Sequence, residues 1–166
     1  MFEVISAVAD EIEGGPNRTI PGIFGEGSGM RRFVTARDLD FRAGYTRVQP
    51  SQGVKTFFWY DEFWVTLEGE GNVTATDRPS GQVIERVLKP HDLVFIPSGT
   101  HIDLKIASDA AQPFLFFYIA IPASNKHAHW LAAMTAEDVE DVRIRNEHTP
   151  EAFAAERAKG APVSKK

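Results

Sequence analysis

Between Phe41 and Pro122 the chain breaks into short β-prone runs separated by turn formers, at intervals too tight for an intervening helix. Tyr45 to Gln49 ends at Pro50-Ser51-Gln52-Gly53, and Thr56 to Tyr60 is parted from Phe63 to Leu67 by Asp61-Glu62. Gly69-Glu70-Gly71-Asn72 turns into Val73 to Thr76, and Asp77-Arg78-Pro79-Ser80-Gly81 turns into Val83 to Leu88. Pro90-His91-Asp92 precedes Leu93 to Ile96, Pro97-Ser98-Gly99 precedes His101 to Ile106, and Phe114 to Ile121 runs into Pro122. Parallel strands need long crossovers, and none fits here, so the span predicts about eight antiparallel strands in a sheet closed or nearly closed on itself.

The flanks read differently. Residues 1–40 form an irregular arm, rich in turn formers at Gly14-Gly15-Pro16-Asn17 and from Gly22 to Gly29, with a short strand expected around Arg32 to Thr35. Residues 41–122 are the barrel, and 123–166 a helical extension and tail. In that extension Thr135-Ala136-Glu137-Asp138 has the form of a helix N-cap with acids in the first turn. Thr149-Pro150-Glu151 opens a second, alanine-rich helix that stops at Gly160.

Bulk properties exclude several classes of function. A net charge of −5 in 166 residues provides no basic footprint for nucleic acid or an anionic membrane. There are no cysteines, so thiolate nucleophiles, disulfides and zinc–thiolate sites are out. The longest apolar stretch, Phe114 to Ile121, is too short to cross a bilayer. The start lacks a basic, apolar leader, and a cytoplasmic protein is expected.

Tyr60-Asp61-Glu62-Phe63-Trp64-Val65-Thr66-Leu67-Glu68-Gly69 resembles the first motif of the cupins, in which a glutamate precedes a strand ending in glycine. His91 to His101, containing Phe95-Ile96-Pro97-Ser98-Gly99, resembles the second, in the right order and one hairpin away. The resemblance implies an all-β fold, an antiparallel barrel or jelly roll, with a metal site at its mouth. The ligand pattern departs from the usual one. Thr56-Phe57-Phe58-Trp59-Tyr60 holds no histidine where two are usual, and His101 stands one residue nearer to Gly99 than the pattern has it. With Tyr-Asp-Glu before Leu-Glu-Gly and the strand Tyr118-Ile119-Ala120-Ile121-Pro122, the chain resembles the ethanolamine-utilisation EutQ-type subgroup. An acetate-kinase activity is attributed to that subgroup, but no phosphate-cradling motif is present here.

Residues two apart share a face of a strand, so Glu62, Trp64 and Thr66 line one wall, with Tyr60 and Phe58 continuing it. His101, Asp103 and Lys105 share a face of another strand, while Ile102, Leu104 and Ile106 on the other face pack. The composite site therefore has Glu62, Tyr60 and His101 as catalytic groups. The same three are the candidate ligands of a divalent metal ion, a weak set for zinc or iron with one histidine. Arg47, Phe58, Trp64, Asp103, Lys105 and Tyr118 are the candidate substrate contacts, with Arg47 or Lys105 orienting an anionic group. A Gly99-Thr100 bulge would be needed to turn His101 inward. The plainer alternative makes Glu62 and His101 hydrogen-bonded residues of structure. His127 and His129 share a face if extended, but beside Trp130 and beyond Pro122 they read as an exposed turn; His91 and His148 read as solvated.

Two functions remain open. One is an enzyme of lyase or isomerase type acting on a small polar or carboxylated metabolite, with or without a metal. The other is a binding or accessory module with a degenerate metal site. A homodimer is expected either way, because the apolar Phe2, Val4, Ile5, Ile20, Ile23 and Phe24 of the arm have too little core of their own.

Overall fold

A computed structural model describes residues 27–32, 42–121 and 133–147. These contain β1 (Gly29–Arg32), β2 (Arg42–Val48), β3 (Gly53–Phe58), β4 (Asp61–Glu68), β5 (Gly71–Asp77), β6 (Val83–Leu88), β7 (Leu93–Ile96), β8 (Thr100–Lys105), β9 (Phe114–Ile121) and the helix α1 (Ala136–Glu147). The strands form a five-stranded sheet in the order β1-β2-β9-β4-β7 and a four-stranded sheet in the order β3-β8-β5-β6. Every pairing is antiparallel. The ladder is thus split into two facing sheets, a jelly roll, where a single closed sheet was one of the two expected forms. The second helix expected from Pro150, and His127, His129 and His148, lie outside the described residues.

The boundaries differ from the expected ones by small shifts with large consequences. β2 begins at Arg42 rather than Tyr45, and β4 begins at Asp61, so the turn between β3 and β4 is Trp59-Tyr60. The arm's short strand is Gly29–Arg32, paired with β2, slightly ahead of where it was expected.

The core is the space between the sheets. From the first sheet Val48, Trp64, Phe114, Phe116 and Tyr118 point into it, and from the second Phe58, Val73, Ile102 and Leu104. Trp64 and Phe116 pack with ring centroids 4.4 Å apart, Phe114 and Phe116 at 5.5 Å, and Phe58 meets Trp64 edge-on at 6.0 Å. These rings fill the barrel by area and shape. Gly69, which ends the first motif, has φ +71°, and a Cβ there would lie 2.4 Å from the Pro113 carbonyl oxygen. Only glycine tolerates both constraints.

The helix is tied to the outer face of the second sheet by its first turn. Thr135 caps it: the Asp138 N–H donates to Thr135 Oγ1 at 3.2 Å, and Asp138 Oδ2 accepts from the Thr135 N–H at 2.9 Å. This is a capping box with aspartate at the third position. The same carboxylate, fully buried, receives Nη2 of Arg78 at 2.8 Å and stands 2.8 Å from Nδ1 of His101. One turn on, Asp141 accepts from the Phe57 N–H at 2.7 Å, which covers the open edge of β3.

Burial opposes ionisation of Asp138, but hydrogen bonds from Arg78, the Thr135 backbone, His101 and the Thr135 side chain hold its carboxyl down at about 2. A folded value below the unfolded 3.8 stabilises the protein above about pH 4, and that contribution is lost as pH falls toward 2. The shift corresponds to about 2 kcal/mol. The stability gap between wild type and Asp138→Asn should therefore be widest near neutrality and close on acidification, measured by denaturant unfolding at several pH values. A gap that stays constant down to pH 2 would show that Asp138 acts without its charge.

Candidate functional site

The site is assembled where two connections pass from one sheet to the other at the same end of the barrel. Trp59-Tyr60 joins β3 to β4, and Pro97-Ser98-Gly99 joins β7 to β8. The two turns are bonded together: the Gly99 N–H donates to the Phe58 carbonyl at 2.7 Å and the Ser98 N–H to Oδ1 of Asp61 at 2.8 Å. Asp61 thereby holds the residue after it, Glu62, at the mouth.

Across the first sheet the last inward-facing row reads Arg42, Ala120, Glu62, Ile96. Strand pairing places these side chains on the face that also carries Thr46, Trp64, Phe116 and Tyr118. Ala120 contributes only a methyl group, so Arg42 and Glu62 flank a low point in the wall. Glu62 is 5% exposed and accepts from Nε1 of Trp64 at 2.5 Å, two residues along the same face. The guanidinium carbon of Arg42 stands 5.9 Å from the centre of the Tyr60 ring. Tyr60 in turn meets Phe58 edge-on at 5.7 Å and Trp59 at 4.9 Å. Below this row Trp64, Tyr118 and Phe58, all buried, make an apolar floor. Among the described residues the mouth therefore carries the Arg42 cation, the inward-facing Glu62 carboxyl and the Tyr60 phenol above a ring of aromatic side chains. That arrangement can bind a small anion, orient it and exchange a proton with it.

Of the expected site residues, Glu62, Tyr60, Phe58, Trp64 and Tyr118 are brought together here. His101, Asp103 and Lys105 are not. They share a face, as expected, but it is the outer one: Ile102 and Leu104, 1% exposed each, occupy the interior side of β8. His101 turns to Asp138 of the helix, and Asp103 pairs with the exposed Lys105 at 3.1 Å. The register from Thr100 to Lys105 runs without a bulge, so nothing corrects the one-residue offset of His101. The interior residue after the turn is Thr100. Arg47, expected as a substrate contact, also lies outside the site. It pairs with Leu115 on the outer face, next to the Tyr45–Phe117 ring contact, while Thr46 and Val48 face in.

Arg42 is the residue that sequence reasoning missed. Its signal is the alternation Arg42, Gly44, Thr46, Val48, which becomes visible only once β2 is extended three residues upstream.

Among the described residues the side chains at the mouth do not fit a divalent metal. Thr56 to Tyr60 holds no histidine, Ile102 rather than His101 faces the interior of β8, and His101 is engaged outside the barrel. Among the described residues no group of three or more histidine, cysteine, aspartate or glutamate side chains converges. Among the described residues Glu62 is left as the ordinary metal ligand that faces into the mouth.

No family model and no curated protein matches the chain. Similar solved structures include an ethanolamine utilization protein Q from Salmonella typhimurium, with 28% identity over 58% of this chain and 71% of that one, at a TM-score of 0.45. The plu4264 protein of Photorhabdus luminescens is similar at 14% identity over 80% of this chain and 97% of that one, with a TM-score of 0.52. An oxalate decarboxylase of Bacillus subtilis is similar at 16% identity over 81% of this chain and 33% of that one, also at 0.52. Among the described residues no helix is long and apolar enough to cross a membrane. With two facing antiparallel sheets in a jelly roll, a fold shared with the plu4264 protein and the oxalate decarboxylase, the chain has the fold of a cupin.

Proposed function

We propose that this chain is an enzyme that moves a proton on a small carboxylated metabolite held in the barrel mouth, a reaction of lyase or isomerase type. The observation that carries the reading is the inward row in which Arg42 and Glu62 flank Ala120. Arg42, with the Tyr60 ring beside it, receives the carboxylate of the substrate; a guanidinium suits that group because its paired N–H donors match two oxygens. Glu62 is the base. It takes a proton from the carbon next to the substrate's carbonyl, and the C–H electron pair moves onto the carbonyl oxygen to form an enolate. Return of the proton to the same or a neighbouring atom completes an exchange or isomerisation. Expulsion of a leaving group from the next carbon completes an elimination. The absence of cysteine accords with a cytoplasmic setting.

The test is exchange of carbon-bound hydrogen for deuterium, followed by proton NMR in D2O. Pyruvate and 2-oxobutyrate should exchange faster with the protein than in buffer, and dihydroxyacetone, which lacks a carboxylate, should not. Arg42→Leu should raise the KM for the oxo acids by about a hundredfold, the loss of a charge-assisted pair. Oxo acids that exchange no faster than in buffer would rule this reading out.

One observation favours the second reading, a non-catalytic binding module. The Trp64 indole already donates to Glu62, which fixes the carboxyl in place as a structural group would be fixed. A module would bind the oxo acids without exchanging their hydrogen.

A further inference from the structure

The hydroxyl of Thr100 is buried, faces the barrel mouth and has no hydrogen-bond partner among the described residues. We infer that Thr100 is a ligand-contacting residue: its hydroxyl binds a second oxygen, carbonyl or hydroxyl, on the carbon next to the carboxylate. The inference rests on the small-carboxylate reading of the mouth and narrows it to 2-oxo and 2-hydroxy acids of a few carbons.

Orientation comes from the register. Thr100 pairs with Phe58 and shares its face with Ile102 and Leu104, all three of which belong to the core. It is the first residue of β8, so it opens onto the mouth from the second sheet, opposite the row of Arg42, Ala120 and Glu62. Its backbone is held on both sides: the preceding Gly99 donates to Phe58 and accepts from the Arg78 N–H at 3.0 Å. A hydroxyl on so fixed a stem cannot swing out to water, and at 4% exposure little water reaches it. Leaving such a group unpaired costs stability, which a valine in its place would not. A polar residue that destabilises the empty barrel is accounted for if a ligand satisfies it.

Geometry also sets the class of ligand. Arg42 and Tyr60 lie on one side of the mouth and Thr100 on the other, with Glu62 facing in from the first sheet. A molecule held at both ends presents its carboxylate to Arg42 and its neighbouring oxygen to Thr100. The apolar floor of Trp64, Tyr118 and Phe58 limits its length. A plain fatty acid of the same size satisfies Arg42 but not Thr100.

Titration of the wild-type protein with pyruvate, glycolate, acetate and propionate, followed by calorimetry or NMR shifts, tests this. Pyruvate should bind about tenfold more tightly than propionate, and glycolate than acetate, the worth of one neutral hydrogen bond. Thr100→Val should abolish the preference and raise the melting temperature. Thr100→Ser should keep the preference. Equal binding of pyruvate and propionate by the wild type overturns the role of Thr100 alone, as does a preference that survives in Thr100→Val. A lower melting temperature in Thr100→Val also overturns it, by showing the hydroxyl to be structurally satisfied. If none of the four carboxylates binds, the reading of the mouth fails first, and this inference with it.

Discussion

Glu62→Gln is expected to lower the rate of hydrogen exchange on oxo acids by about 10²- to 10⁴-fold, the usual worth of a general base, with the fold intact. Glutamine is nearly isosteric with glutamate but cannot take up a proton. Its amide oxygen can still accept from Nε1 of Trp64, so the bond that orients the residue survives the change. The expected stability loss is about 1 kcal/mol or less, the difference between a neutral and a charge-assisted hydrogen bond at one position. Exchange rate and melting temperature together therefore separate the two roles open to Glu62. A base loses rate at constant stability. A structural carboxyl loses stability, and rate falls only with the folded fraction. Exchange at the wild-type rate in Glu62→Gln would move the chemistry to another group.

The barrel was legible in the sequence because its signals are local. Turn formers fall at regular short intervals, and the motif glycine at 69 is demanded by a carbonyl that leaves no space for a side chain. The helix start at Thr135 was legible for the same reason, since a capping box lies within four residues. The strand on which that helix docks was not, because Asp138 and His101 are joined only by the fold.

Errors at the site have one cause. Alternation along a strand separates two faces but does not say which is inside, and in this protein polarity misleads. On β8 the polar face of His101, Asp103 and Lys105 looks like a site lining, yet it is the apolar Ile102 and Leu104 that fill the interior. On β2 the arginine in the middle of the strand faces outward with Tyr45, and the one at its start faces in. The outer face of the first sheet is nearly as apolar as the inner, so no contrast in hydropathy distinguishes Arg47 from Arg42. Only the pairing of Val48 with Phe114 and of Thr46 with Phe116 settles the choice.

That apolar outer face leads to the second large expected effect: a homodimer in which it covers itself with a second copy. Phe63 and Phe95 pair across β4 and β7 with centroids 4.9 Å apart, and Leu93 lies beside them on the same face. Phe63, Leu93, Phe95 and Ile121 are 36%, 71%, 54% and 44% exposed. Together they present roughly 400 Å2 of apolar surface, at the size where a patch on a monomer marks an interaction site. Two such patches face to face remove about 800 Å2 from water, and a stable interface needs about 1,200 Å2 in total. Residues 1–26, with Phe2, Val4, Ile5, Ile20, Ile23 and Phe24, precede the described strands and can supply the remainder from both copies. Area of this kind contributes about 25 cal/mol per Å2, so the two patches together offer about 20 kcal/mol against the entropy of association and the ordering of side chains. Leu93→Asp with Phe95→Asp places two charges at the centre of the patch on an edge strand, where they meet water in the monomer. The double variant should keep its circular dichroism and bind its partner copy at least a hundredfold more weakly, as read by sedimentation equilibrium. A wild type that sediments as a monomer at micromolar concentration ends the proposal, as does a double variant that remains a dimer. Protection of this face in a monomer would assign it instead to the chain's own arm.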